Sequence, residues 1–394
     1  MASTAPRLEK EFYPKTRALT ATVSVVTSGG KLDHSVFVRL FLCFLLQFVP
    51  SLLKGDTGAV ILQYHHVSTE TPAVTSISPE SFQTHIETIV KQGYQVMPLD
   101  VIVARLLKRK ALPDKTVAIT FDDAYKNIFT NAYPILKKHN LPFTVFVATD
   151  YVTEDSSQFL SWNELREMSA NGAFIANHTA SHTHLLRRQQ HETKGDWLKR
   201  IEHEILNAEK TLENKLPERK QAWRSRRLLA YPYGEYDTDI QRLIEKLDYV
   251  AFGQQSGAAG INSDFSALPR FPLSGKYSDH ESFKIKLATL PLPILNERRN
   301  PLLAGDDSTP LLDISFLSDE IDISNLRCFG PDGTLELHRM SGNRVSTRVN
   351  KPLPVGRSRY NCTMPVPGAD PERFYWFSQL WIRKNADDSW YPED

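Results

Sequence analysis

From residue 59 onward the chain alternates short unbroken apolar runs with longer stretches in which apolar residues return every three or four positions. Ala59-Val60-Ile61-Leu62 carries no polar break and predicts a strand buried on both faces. Ser78-Pro79 then supplies an N-cap and a first-turn proline, and Phe82, Ile86, Ile89 and Val90 follow at helical spacing. The alternation continues with a strand over 116–121, a helix over 133–139 and a strand over 143–147. A helix from about Trp162, a strand at 173–175 and a long charged helix over 196–215 come next. Leu228-Leu229, the stretch 237–247 and Tyr249-Val250-Ala251-Phe252 add a further strand–helix–strand unit. Strands separated by helices run parallel and are joined by crossovers, so residues 59–290 predict an α/β layered fold or barrel of about seven units. The chain has no strand-adjacent GxGxxG and no GxxxxGK, which disfavours a nucleotide-binding fold.

Near Leu290 the pattern changes. Pro291, Pro293, Pro301 and Pro310, with Gly305-Asp306-Asp307 among them, predict a linker over 291–311. Beyond it, Leu312 to Leu317, Leu335 to His338 and Phe374 to Ile382 are short and rich in β-formers. Turn signals separate them at Pro331-Asp332-Gly333 and Ser341-Gly342-Asn343, so 312–394 predicts a small all-β, sandwich-like domain.

Upstream, residues 1–58 read as a leader. Residues 1–35 are polar and aperiodic, and the segment 36–53 holds Arg39, the uncharged run Leu40 to Leu53 and the break Pro50-Ser51. Fourteen uncharged residues are short for a bilayer span and suit the apolar core of a signal peptide. Export to a periplasmic or extracellular location is expected, and an uncleaved segment would anchor the chain at the cell surface. Cys43 follows Leu42 rather than a small residue, which argues against a lipoprotein. Cys328 and Cys362 are then the remaining cysteines and are free to pair in an oxidising compartment. Lys plus Arg total 47 against 46 Asp plus Glu, and this balance argues against general nucleic-acid binding. The one short basic knot, Arg224, Arg226 and Arg227, reads as a solvated surface turn.

Five of the twelve histidines fall in two clusters, His65-His66 and His178, His182, His184. Asp122-Asp123 closes the strand 116–121, at the strand end where α/β barrels place their active sites. Neighbouring residues at a strand end point different ways, so one carboxylate can bind a metal while the other faces a bound water. His178 and His182 are four apart, and one turn or a compact loop can aim both imidazoles at one point. Two imidazoles and one carboxylate form a mixed N/O set suited to Zn²⁺, Fe²⁺, Co²⁺ or Ni²⁺.

Thr120-Phe121-Asp122-Asp123 and Asn177-His178-Thr179-Ala180-Ser181-His182 resemble the first two motifs of the NodB-like polysaccharide deacetylases, carbohydrate esterase family four. Ala230-Tyr231-Pro232-Tyr233-Gly234 resembles their third motif, and Leu268-Pro269-Arg270 a late Pro-Arg segment. Tyr64-His65-His66-Val67 is similar to the opening of the subgroup that acts on poly-β-1,6-N-acetylglucosamine. The resemblance covers about 59–290. It implies a distorted (β/α)7 barrel and metal-dependent hydrolysis of N-acetyl groups from a polysaccharide. Chitin-oligosaccharide deacetylation, xylan O-deacetylation or a non-catalytic glycan-binding barrel remain as alternatives. Asp123, His178 and His182 would hold the metal, with zinc first and cobalt, nickel or iron as substitutes. Asp122 would be the base, and the backbone N–H of Tyr233 would face the oxyanion. His65, with His66 close behind, would be the acid. Tyr64, His66, Pro232 and Arg270 would contact substrate. Two departures stand out: the third motif usually opens with an arginine that orients the catalytic aspartate and here has Ala230, and the usual late Leu-x-His is missing after Arg270. In Phe374-Tyr375-Trp376-Phe377-Ser378-Gln379-Leu380-Trp381, strand alternation puts Phe374, Trp376 and Ser378 on one face and Tyr375, Phe377 and Gln379 on the other. One face should fill the sandwich core, and the other should either dock on the barrel or stack on sugar rings.

Overall fold

The first strand, β1 (Ala59–Tyr64), is buried at every residue, as an unbroken apolar run requires when both faces of a sheet are covered. The structure, a computed structural model, describes residues 58–222, 226–305, 307–369 and 373–392. The signal-like segment 36–53, Cys43 and Arg224 lie outside the described residues. Beside β1, in order, lie β2 (Thr116–Phe121), β3 (Phe143–Val147), β4 (Ala173–Asn177), β5 (Arg227–Ala230) and β6 (Tyr249–Phe252), all parallel. The remaining gap is bridged by residues 268–272. Leu268 pairs in parallel with Phe252 of β6, and β7 (Phe271–Pro272) pairs in parallel with Leu62 and Gln63 of β1. Pro269 and Pro272 have no N–H to give to a ladder, so this seventh position is short and irregular. The result is a distorted α/β barrel with its helices outside.

The first helix, α1 (Pro79–Lys91), starts where Ser78 Oγ accepts the Ser81 N–H at 3.1 Å. It buries Phe82, Ile86 and Ile89, but Val90 is 44% exposed. His85 takes the fourth place on the buried stripe instead, stacked on Phe283 with ring centroids 3.7 Å apart. Tyr64 Oη sits 3.1 Å from its Nδ1 and the Ser278 carbonyl 3.0 Å from its Nε2. Helices α2 (Leu99–Leu107), α3 (Tyr133–Lys138), α4 (Trp162–Ala170), α5 (Lys194–Lys215), α6 (Thr238–Lys246) and α7 (His280–Leu287) complete the outer layer. A capping box between Ser161 and Glu164 opens α4.

The all-β region has two sheets around one core. The three-stranded sheet joins β8 (Leu312–Ser315), β12 (Arg344–Thr347) and β11 (Leu337–Met340). The larger sheet runs from the short strand Leu290–Pro291 through β14 (Phe374–Arg383), β13 (Gly356–Pro365) and β9 (Arg327–Gly330) to β10 (Gly333–Leu335). The single strand expected at 335–338 is therefore two strands, because the chain crosses from one sheet to the other at Glu336. Cys328 and Cys362 face each other across β9 and β13 and form a disulfide.

The stretch 291–311 is not a loose linker. Leu292 N–H donates to the Trp376 carbonyl, Leu303 N–H to Ile382, and Ile382 N–H to Pro301. Both faces of β14 are covered as well. Tyr375, Phe377 and Trp381 face the sandwich core, while Leu380 and Ile382 join a barrel cluster with Tyr236, Ile240, Leu243 and Ile244. Trp376 meets Phe271 of β7 edge-on at 5.4 Å. The strand therefore joins barrel to sandwich, with Phe374 to Phe377 half-buried at that junction.

Candidate active site

Asp122 and Asp123 leave the end of β2 in different directions, and their surroundings differ accordingly. Asp122 is fully buried and receives three charge-assisted or neutral hydrogen bonds. Arg270 Nη1 donates to its Oδ1 and Nη2 to its Oδ2, both at 2.7 Å, and Gln63 Nε2 donates to Oδ2 at 2.7 Å. Arg270 is itself fully buried, with Nε donating to the Gly253 carbonyl at 2.9 Å. Burial pushes the Asp122 carboxyl up, but Arg270, His178 and His65 outweigh it and hold it below the usual carboxylate range. Arg270 was expected to contact substrate; with no exposed surface and both guanidinium ends committed to Asp122, it instead fixes that carboxylate. It reaches Asp122 from the segment just before β7, which closes the barrel, whereas Ala230 has no side chain able to do so.

Asp123 Oδ1 stands 3.2 Å from His178 Nε2 and 3.1 Å from His182 Nε2. The three side chains form a group of metal-ligating type, with one ligand atom from each lying within 4.8 Å of the others. His178 Nδ1 lies 2.8 Å from the Ala230 carbonyl, to which it can only donate, so in the neutral ring Nε2 carries a lone pair. Asp123 Oδ1 is buried and has no hydrogen-bond partner despite the two nearby nitrogens. Lone pairs converging at this range repel unless a cation lies among them, and the donor set is one that divalent transition metals accept. The residues therefore fit a metal ion. Burial raises the Asp123 carboxyl, yet His178, His182 and His65 hold it well below its ordinary value. The loop carrying the two histidines is tied down behind the site. Asn177 Nδ2 donates to Glu209, which also pairs with Arg219, and Ser181 donates to Glu204.

The third motif forms a single tight turn at Pro232–Gly234, in which Tyr233 adopts a left-handed backbone with φ 58° and ψ 2°. Asp123, Ala124, Thr179 and His182 also have positive φ, so five of the twelve such non-glycine residues among those described lie at this one place. Each conformation costs on the order of 1 kcal/mol or more, and strain of this kind persists where surrounding contacts over-determine it. The Tyr233 ring stacks on His184 with centroids 3.7 Å apart and planes 7° apart, and lies 4.6 Å from His182.

His65 is 16% exposed at the edge of the site, with Nε2 3.9 Å from Asp122 Oδ2. His66 is nearly buried, stacked 3.6 Å from Tyr125, and its Nδ1 accepts from Asn127 Nδ2 at 2.9 Å. The amide orientation of Asn127 is fixed because its Oδ1 accepts the Val67 N–H. Burial and the neighbouring His65 push the His66 pKa down to about 4, against the opposing pull of Asp123. From His66 a groove of about 730 Å³ opens past Tyr125, Lys126, Glu70 and Gln158. Tyr64 and Pro232 do not line it: Tyr64 is fully buried with its hydroxyl on His85, and Pro232 is buried beneath its own turn. Sequence reading missed Gln63, Tyr125 and Glu235. Gln63 and Glu235 sit directly beside quoted motifs, and Tyr125, stacked on His66, follows Asp123 by two residues.

Residues 109–252 match the domain family described as polysaccharide deacetylase. The poly-beta-1,6-N-acetyl-D-glucosamine N-deacetylase of Staphylococcus aureus is 30% identical over 251 residues, 59% of this chain and 84% of that protein. The deacetylase PplD of Streptococcus pyogenes, solved in complex with acetate, superposes with a TM-score of 0.51 at 23% identity, covering 59% of this chain and 99% of that one. A de-N-acetylase from Aggregatibacter actinomycetemcomitans superposes at 0.50 with 18% identity, covering 58% and 99%. At these identities the two superpositions bear on the fold alone, and they agree with the barrel described above.

Proposed function

The chain belongs to the polysaccharide deacetylase family, hydrolases of amide bonds, and from that premise we propose that it removes N-acetyl groups from a β-linked N-acetylglucosamine polysaccharide with a bound divalent metal. The observation that carries the metal is the orphaned Asp123 Oδ1 between the Nε2 atoms of His178 and His182. A cation held by these three residues would acidify a water and polarise the acetyl carbonyl, and zinc suits the set best, with cobalt, nickel or iron as substitutes. Asp122, kept ionised and immobile by Arg270 and Gln63, takes the proton of the attacking water. Tyr233 presents its backbone N–H to the carbonyl oxygen as that atom gains charge. His65 gives a proton from Nε2 to the departing amine, which cannot leave as an anion. The groove beyond His66 and Tyr125 has room for the polymer flanking the cleaved unit. The choice of a β-1,6-linked substrate rests on the Staphylococcus aureus relative and on the Tyr64-His65-His66-Val67 opening. Export is supported by the Cys328–Cys362 disulfide, which persists in oxidising compartments, and by the apolar run within 36–53.

The test is acetate release from poly-β-1,6-N-acetylglucosamine, chitin oligosaccharides and acetylated xylan, before and after chelation and after metal repletion. Release from the first polymer that chelator abolishes and metal restores is expected. Release that survives chelation would overturn the metal assignment. Release from xylan alone would overturn the substrate.

A further inference from the structure

The turn bearing Tyr233 is held from outside the barrel. Glu235 lies two residues further on, with a side chain that is completely buried. Its Oε2 is 2.9 Å from His184 Nδ1, and the His184 ring is the one that stacks flat on Tyr233. Its Oε1 accepts from Arg357 Nη1 at 3.1 Å and from the Tyr391 hydroxyl. Arg357 belongs to β13 of the all-β region, and Tyr391 follows β14. Arg357 also lies over the Tyr233 ring, with Cζ 5.9 Å from its centroid. An unbroken series of contacts therefore runs from the sandwich through Glu235 and His184 to a left-handed residue beside the metal-ligating histidines. Such a backbone relaxes when its supports are removed, because nothing in its own conformational preference keeps it there.

We propose that Arg357 and Tyr391 are positioning residues of the deacetylase, acting through Glu235 and His184 to hold Tyr233 and its backbone N–H in place. The all-β region is then part of the catalytic apparatus. The inference rests on the hydrolytic reading above. Its test uses the full chain carrying Tyr391→Phe, Arg357→Gln, both together, or Arg357→Lys. Met340→Ala, 46% exposed on β11, serves as a control on the same region. Tyr391→Phe removes one oxygen and leaves the packed ring, so it keeps the test informative where an arginine variant folds poorly. Tyr391→Phe and Arg357→Gln should each lower kcat about 10-fold, a fraction of the loss when an oxyanion donor is removed outright. KM should stay within about twofold and metal content should not change, because substrate binding and the metal ligands are untouched. The double variant should lose less than the product of the singles, since both act on one carboxylate. Arg357→Lys should regain part of the loss, and Met340→Ala should match wild type. A wild-type kcat in folded Tyr391→Phe and Arg357→Gln, or a loss confined to thermal stability or to KM, would overturn the inference. Absence of acetate release from wild-type protein would instead overturn the hydrolytic reading.

Discussion

Replacing Arg270 with methionine tests whether the arginine missing at Ala230 has been supplied from the closing strand. The side chain is fully buried and so is its partner, so the pair experiences little solvent screening. The substitution strips Asp122 Oδ1 and Oδ2 of one 2.7 Å charge-assisted bond each, leaving Gln63 at 2.7 Å and His65 at 3.9 Å. It also leaves the Gly253 carbonyl without the Nε donor. Methionine recovers contact with Phe146, whose ring the guanidinium covers at 5.2 Å, so the loss is electrostatic more than volumetric. Removing one partner of a buried pair costs about 3–5 kcal/mol. Urea denaturation at pH 7 should show a deficit of that size. Asp122→Asn/Arg270→Met, which removes the stranded charge, should recover about half or more of it. kcat for Arg270→Met should fall about 10²–10⁴-fold, because a base no longer held in place contributes little. An Arg270→Met protein within about 1 kcal/mol of wild type, or a double variant no more stable than Arg270→Met, would show that the pair is not the support described here.

Asp122→Asn should lose about 10²–10⁴-fold in kcat on both acetylated glucosamine polymer and an aryl acetate, since both need water activation. His65→Ala should be impaired on the polymer and largely spared on the aryl acetate, whose phenol departs without a proton; equal losses on both would exclude His65 as the acid. Elemental analysis should find His178→Ala/His182→Ala depleted of metal, and stoichiometric metal in that variant would refute the ligand set. His85 has its pKa pushed down to about 4, chiefly by burial, so between pH 6.5 and 4 the unfolded chain binds the proton that the folded chain refuses. Stability should fall as pH drops through that window, by up to about 3 kcal/mol from this residue, and His85→Gln should flatten the fall. An unchanged slope would place the acid sensitivity elsewhere.

The strands and helices of the barrel were legible because burial on both faces demands unbroken apolar runs, which leave a plain trace in sequence. One carboxylate of Asp122-Asp123 was legible with His178 and His182 as a group because the acidic pair ends one strand while the histidines follow another, and parallel strands bring such ends together; the choice of Asp123 came from the family resemblance. Arg270 illustrates what was not legible. Its partner lies 148 positions away, and nothing in Leu268-Pro269-Arg270 says whether the guanidinium points outward to a sugar or inward to Asp122. Val90 fits the helical stripe as well as His85 does by periodicity alone. Only the presence of Tyr64 and the Ser278 carbonyl makes a buried histidine acceptable at that position. The proline-rich stretch 291–311 misled for a related reason. Proline marks both free linkers and sheet edges, and distinguishing them depends on β14, some eighty residues downstream.

Leu380, Ile382 and Tyr391 complete the apolar cluster that also contains Leu243, Ile244 and Ala267 of the barrel. During synthesis these late residues leave the ribosome well after the barrel strands have emerged. At about 5–20 residues per second, the more than one hundred positions separating Ala267 from Leu380 correspond to a delay of several seconds or longer. For that time the nascent barrel presents an uncovered apolar face and can make only part of its core. One apolar cluster of the barrel is thus finished by residues that emerge after it, and chaperones that shield such faces have a defined interval in which to act on this chain.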